Sequence, residues 1–177
     1  MERETRFEET VMAHLDAAYN LARWLTRDDH DADDVVQEAC LRAFRFYASF
    51  HGGNARAWLL AIVRNTYYTW LDKNRVQTSN VEFTDDTVAA VDYDLATTAD
   101  SVERLLQEDD TRQLVRRALE RIPAEFREVI VLRELEGLSY KEVAAVAGVP
   151  VGTVMSRLAR ARRRLEAVLS PQLQEEA

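Results

Sequence analysis

Five arginines crowd one short stretch of this chain, Arg157, Arg160, Arg162, Arg163 and Arg164, and two hydroxyls precede them at Thr153 and Ser156. Guanidiniums at helical spacing fork onto phosphates and guanine edges, and hydroxyls pair with any base. The chemistry on offer is the reading of a nucleic-acid groove. Something must hold such a row outward. Within Leu138–Leu165, the residues Val151, Val154, Leu158, Ala161 and Leu165 recur at helical spacing and are expected to pack inward. Thr153, Ser156, Arg157, Arg160, Arg163 and Arg164 fall outside that stripe. Upstream, Ser139 and Glu142 stand in capping-box spacing, Gly148 suits a left-handed helix end, and Pro150 pre-sets the next helical turn. The stretch reads as a helix-turn-helix. The plainer reading is a solvated basic helix, which leaves the turn chemistry unexplained.

A second constellation spans Phe50–Arg75. It mixes aromatics (Phe50, Trp58, Tyr67, Tyr68, Trp70) with His51, Asn54, Arg56, Arg64, Asn65, Lys73 and Arg75, behind the paired glycines Gly52 and Gly53. Aromatic faces with cations are the means by which single strands are held. Trp58 and Trp70 lie on the apolar stripe and are expected in the core. Asn65 and the glycine loop suit a pocket that takes an unstacked base by its edge.

Between these and the N-terminus, DADDVVQEACLRAFRFY exposes Asp31, Asp34, Glu38 and Arg42 along one helical side. That side is either a solvated face or a docking face, and periodicity does not choose between them.

The composition excludes several classes. His14, His30 and His51 are scattered and there is no cysteine pair, so no metal is expected. No nucleophile triad, phosphate-binding glycine loop or dinucleotide fingerprint is present, so neither an enzyme nor a cofactor or small-molecule substrate is expected. The one cysteine, Cys40, excludes an internal disulfide and is expected to pack as a small hydrophobe. No apolar run is long enough for a bilayer, and MERETRFEET is charged, which predicts a cytoplasmic protein without membrane insertion.

The 177 residues carry a net charge of −8, an odd value for a nucleic-acid binder until it is located. Between Val76 and Asp110 ten acids face Arg104 alone, which leaves the rest of the chain at +1. An acidic stretch opposes the phosphate attraction behind most non-specific affinity, so unaided DNA binding is expected to be weak. The sequence therefore predicts an all-α chain of two small helical domains: 1–75, then an acidic linker 76–100, extended or disordered, then 101–177 with the helix-turn-helix. In the first domain Phe7, Val11, Leu15, Ala18, Ala22 and Leu25 form one helical stripe, and helices follow from near Asp31 and from Ala55 to about Asn74. In the second, Leu114, Ala118, Leu119 and Ile122 mark a helix. Pro123 opens another, carrying Phe126, Val129, Ile130 and Leu135, and Gly137 closes it.

Three segments, DADDVVQEACLRAF, FHGGNARAWLLAIVRN and LERIPAEFREVIVLRELEGLSYKEVAAVAGVPVGTVMSRLARARRRL, resemble the bacterial extracytoplasmic-function (ECF) sigma factors over most of the chain. The resemblance implies a transcription initiation factor that binds core RNA polymerase and directs it to promoters. It implies that Thr153, Met155, Ser156, Arg157, Ala159, Arg160, Arg163 and Arg164 meet the −35 duplex, with Ser156 and Arg160 on base edges and Arg157, Arg163 and Arg164 mainly on phosphates. Met155 stands where the family often has a basic residue. It also implies that Phe50, His51, Gly52, Gly53, Asn54, Arg56 and Asn65 receive a flipped base of the melted −10 strand. Asp31, Asp34, Gln37, Glu38 and Arg42 would dock on the polymerase clamp helices. The acidic linker would thread the positively lined cleft, and an anti-sigma factor is an expected further partner. Two other readings compete: a free-standing helix-turn-helix regulator, and a sigma mimic that titrates an anti-sigma factor.

Overall fold

A computed structural model of the chain describes residues 1–77 and 107–175, and all regular structure in it is helical. The expected acidic linker from residue 78 onward, and the helical restart expected near Ser101, lie outside the described residues. Helices α1 (Glu2–Thr10), α2 (Leu15–Thr26), α3 (Asp29–Phe46) and α4 (Ala55–Gln77) form the N-terminal unit. Helices α5 (Gln107–Arg121), α6 (Ala124–Ile130), α7 (Tyr140–Ala147) and α8 (Val151–Glu175) form the C-terminal one. No single described helix is long and apolar enough to cross a membrane.

The stripe expected to run unbroken from Phe7 to Leu25 is interrupted. A 3₁₀ turn at Met12–His14, closed by His14 N–H on the Val11 carbonyl at 3.0 Å, separates α1 from α2. Winding three residues per turn instead of 3.6 shifts the register. Phe7, Val11, Ala18, Ala22 and Leu25 stay buried, but Leu15 emerges. Helix α3 starts at Asp29 because Asp28 caps it: its Oδ1 accepts from Asp31 N–H at 3.0 Å, and Asp29 and Asp31 sit where the helix dipole favours acids. Its inner face buries Ala32, Val35, Val36, Ala39 and Ala43. Cys40 is half-buried against that core, and burial pushes its thiol pKa up, away from reactivity. Leu59, Leu60, Val63 and Tyr67 of α4 are buried, with Trp58 and Trp70 packed beside them as expected.

In the C-terminal unit α6 runs into a π-helical turn at Val131–Leu135, marked by Glu136 N–H on the Val131 carbonyl at 2.9 Å. One extra residue in a turn rotates the rest of the helix by about 100°. Leu135, expected inside, is consequently exposed.

The two units pack on each other through α2 against α6 and α4 against α7, and one apolar core runs through both. Helix α7 owes its position to its ends. Ser139 Oγ accepts from Glu142 N–H at 3.1 Å and Glu142 Oε1 accepts from Ser139 N–H at 3.3 Å, a complete capping box. Gly148 closes the helix with φ +68°. Ser139→Ala should therefore lower stability by about 1 kcal/mol, read as an earlier denaturant midpoint. An unchanged midpoint would show that the box contributes nothing to the helix start.

Candidate nucleic-acid interface

Helix α8 leaves the turn after α7 at a bend of 96°, the angle of a helix-turn-helix pair. Its start is fixed by the Pro150 carbonyl, which accepts from Thr153 N–H at 3.0 Å and Val154 N–H at 3.1 Å. Val154, Leu158 and Ala161 are buried and Leu165 is half-buried, so most of the predicted stripe anchors the helix. Val151 departs from it. The first turn projects past the edge of the core, and the side chain is 40% exposed.

Met155, Ser156, Ala159, Arg160, Arg163 and Arg164 are exposed and Thr153 is half-buried. Ser156 Oγ donates to the Thr153 carbonyl at 3.0 Å. The Arg164 guanidinium lies 4.8 Å from the centre of the Phe126 ring. Arg157 is different: its Nη1 stands 3.8 Å from Glu128 Oε1 of α6, and the side chain is half-buried.

On the N-terminal unit, the Phe50–Asn54 loop makes its turn with Gly52 at φ +94° and Gly53 at φ +95°, values that suit glycine alone. Phe50 is held against Trp58 (ring centres 5.1 Å apart) and Tyr47 (6.1 Å), which leaves His51 and the glycines in solvent. Asn54 Oδ1 caps α4 by accepting from Ala57 N–H at 3.1 Å, while its amide donates to Glu142 across the two units. Arg56 reaches the Glu136 carbonyl at 2.6 Å. Asn65 is exposed, but it sits about 15 Å farther along α4 at 1.5 Å per residue, so it is not beside the loop. On α3, Asp34, Gln37 and Glu38 are exposed in one row. Arg42 Nε donates to Glu38 Oε1 at 3.1 Å, and Asp31 is half-buried at the helix start.

A polar hub between the units was not foreseen from residue patterns. Glu128 of α6 is fully buried, and it accepts from Arg64 Nε at 3.0 Å, Arg64 Nη2 at 3.2 Å and Tyr68 Oη at 3.3 Å. Burial pushes its carboxyl pKa above the ordinary value, against the pull of Arg64, Tyr68 and Arg157. Its neighbour Arg127 is 3% exposed and donates to the carbonyls of Ile122 (2.9 Å) and Leu25 (3.3 Å), the latter in the other unit. The available signal was the segment FREVIVL, where apolar residues surround both charges on every side of a helix. Among the described residues no cluster of acids, histidines or cysteine has the makings of a metal site.

An exposed arginine face on one helical unit and an aromatic-lined loop on the other define the candidate surfaces. Comparison with known proteins settles the family. The family model for Sigma-70 region 2 matches residues 10–76, and that for Sigma-70 region 4 matches residues 112–165. The ECF RNA polymerase sigma-E factor of Escherichia coli is 38% identical over 147 residues, which covers 80% of this chain and 75% of that protein. The chain belongs to the ECF sigma factors. The ECF sigma factor SigE of Mycolicibacterium smegmatis is 33% identical over 97% of this chain, which spans 64% of that longer relative. Among solved structures, the sigma factor RpoE of Bartonella quintana, in complex with the anti-sigma factor NepR, superposes with a TM-score of 0.69 at 30% identity. That match covers 93% of this chain and 96% of the other. CnrH, in complex with the cytosolic domain of CnrY, gives a TM-score of 0.64 at 27% identity over 95% and 90%. As an ECF sigma factor the chain directs RNA polymerase to promoters, a non-enzymatic role; all but the last residue of α4 lies in its region 2, and the part of α8 from 151 to 165 lies in its region 4.

Proposed function

We propose that region 4 reads the −35 duplex with the outward side of α8, and that region 2 opens and reads the −10 strand with the Phe50–Asn54 loop, Arg56 and Asn65. On α8, Ser156 and Arg160 are placed for base edges, and Arg163 and Arg164 for phosphates. Arg157 joins the phosphate contacts once it leaves Glu128. The row Asp31, Asp34, Gln37, Glu38 and Arg42 on α3 docks on core polymerase. An anti-sigma factor covers these surfaces when the protein is held in reserve, by analogy with RpoE bound to NepR and CnrH bound to CnrY. The protein works in the cytoplasm, where its polymerase is. One observation carries the reading: the exposed guanidiniums stand on a helix held by the turn from the fully capped α7 and by an apolar anchor.

The test is transcription in vitro, with and without core polymerase. Promoter-specific initiation with core and little duplex binding without it supports the proposal. Specific duplex binding by the chain alone supports a free-standing regulator. Capture of an anti-sigma factor without any initiation supports a sigma mimic. Within the same assay, Asn65→Ala should slow open-complex formation by about ten-fold or more, the loss of one charge-free base contact of about 1–3 kcal/mol, with duplex binding kept. Unchanged opening would remove Asn65 from the −10 contacts.

A further inference from the structure

Two parallel rows run along the outward side of α8, each stepping four residues: Val151, Met155 and Ala159 in one, Gly152, Ser156 and Arg160 in the other. Residues four apart on a helix are surface neighbours, so the first row is a continuous apolar strip beside a polar one. Val151 is 40% exposed and Met155 55% exposed. Scattered exposed apolar residues need no explanation, but a strip beside the base-reading row does. We propose that this strip reads the 5-methyl groups of thymine in the major groove. The proposal deepens the assignment of α8 to duplex recognition and rests on it.

The polar row favours the same base pair. Ser156 spends its hydroxyl proton on the Thr153 carbonyl, so its oxygen faces outward as an acceptor. An acceptor suits the exocyclic amine of adenine or cytosine. An A·T pair places the adenine amine and the thymine methyl side by side in the major groove, as Ser156 and Ala159 of the apolar row, three residues apart, are neighbours on the exposed surface of the helix. Gly152 opens the approach, since nothing lies within 4 Å of where its side chain would begin. Arg160, one turn beyond Ser156, then takes a guanine.

The experiment uses the full chain with core polymerase. The preferred −35 element is first selected from randomised duplexes. Each thymine in it is then replaced by deoxyuridine, which removes the methyl and leaves every hydrogen-bonding edge in place. At one or more positions the wild type should prefer thymine by about four-fold, the worth of one buried methyl. Met155→Ala or Val151→Ala should abolish that preference while discrimination at the guanine position is retained. Thymine replacements that are all silent, a selected element without thymine, or variants that keep the full preference would each overturn the proposal while the sigma reading stands. If no −35 sequence is selected at all, the duplex-reading role of α8 fails first and this inference falls with it.

Discussion

Glu128→Ala should weaken the packing of the two helical units by about 3–5 kcal/mol, the usual loss when one partner of a buried ion pair is removed. The carboxylate is wholly buried, and Arg64, itself 19% exposed, has both bonds of its fork on it. Alanine would leave that guanidinium shielded from water with nothing to pair with. The same substitution takes an acceptor from Tyr68 and the nearest anion from Arg157. The measurement is compactness by small-angle scattering together with the thermal midpoint. The variant should be larger and melt earlier, and a variant as compact and as stable as the wild type would show that the hub does not hold the units together. Glu128→Gln keeps the shape and an acceptor, so it should lose less. It should also flatten a pH dependence of defined sign. Because burial raises the folded pKa of Glu128, its contribution favours packing fully below the ordinary glutamate value and is lost as pH rises through the folded one.

Arg160→Ala should cut initiation from promoters that depend on the −35 element by about ten- to a hundred-fold, the loss of a bidentate base contact of about 1–3 kcal/mol. The side chain is exposed on α8 and lies off the stripe of Val154, Leu158 and Ala161, so its removal opens no cavity. Core polymerase binding, assigned to α3, should be unchanged. A competition assay for core run beside the transcription assay separates the two effects. Equal losses in both would mean that Arg160 supports the fold rather than the promoter contact. Selectivity at the guanine position should relax in the same variant, whereas a phosphate contact would weaken binding to every sequence alike.

The features legible in the sequence were local ones. Ser139, Glu142, Gly148 and Pro150 lie within twelve residues, and each acts on backbone groups one turn away, so spacing alone placed α7 and the turn. The stripe through Val154, Leu158 and Ala161 follows from helical period in the same way. Errors arose where the winding changed. The 3₁₀ turn before α2 and the π turn after α6 displaced Leu15 and Leu135 to the surface, and no pattern of residue types announces a change of pitch. Val151 kept the period but lies beyond the end of the core. The hub was out of reach for another reason: Arg64 and Glu128 are 64 residues apart, and their pairing depends on how two units meet. For the candidate surfaces, residue types identified the chemistry, while the engagement of Asn54 and Arg56 between the units, and of Arg157 by Glu128 of α6, depends on the tertiary arrangement.

That engagement has a thermodynamic consequence. Asn54 is occupied by Glu142 and Arg56 by the Glu136 carbonyl, so in the proposed roles a promoter can use them only in molecules whose halves have parted. A ligand that needs a minority conformer binds with its intrinsic affinity multiplied by the fraction of molecules in that form. If core polymerase docks on α3 as proposed and holds the halves apart, it removes this handicap, and DNA affinity then rises without any new contact to DNA. An inhibitor that clasps the halves together deepens the handicap without touching a single base-reading side chain.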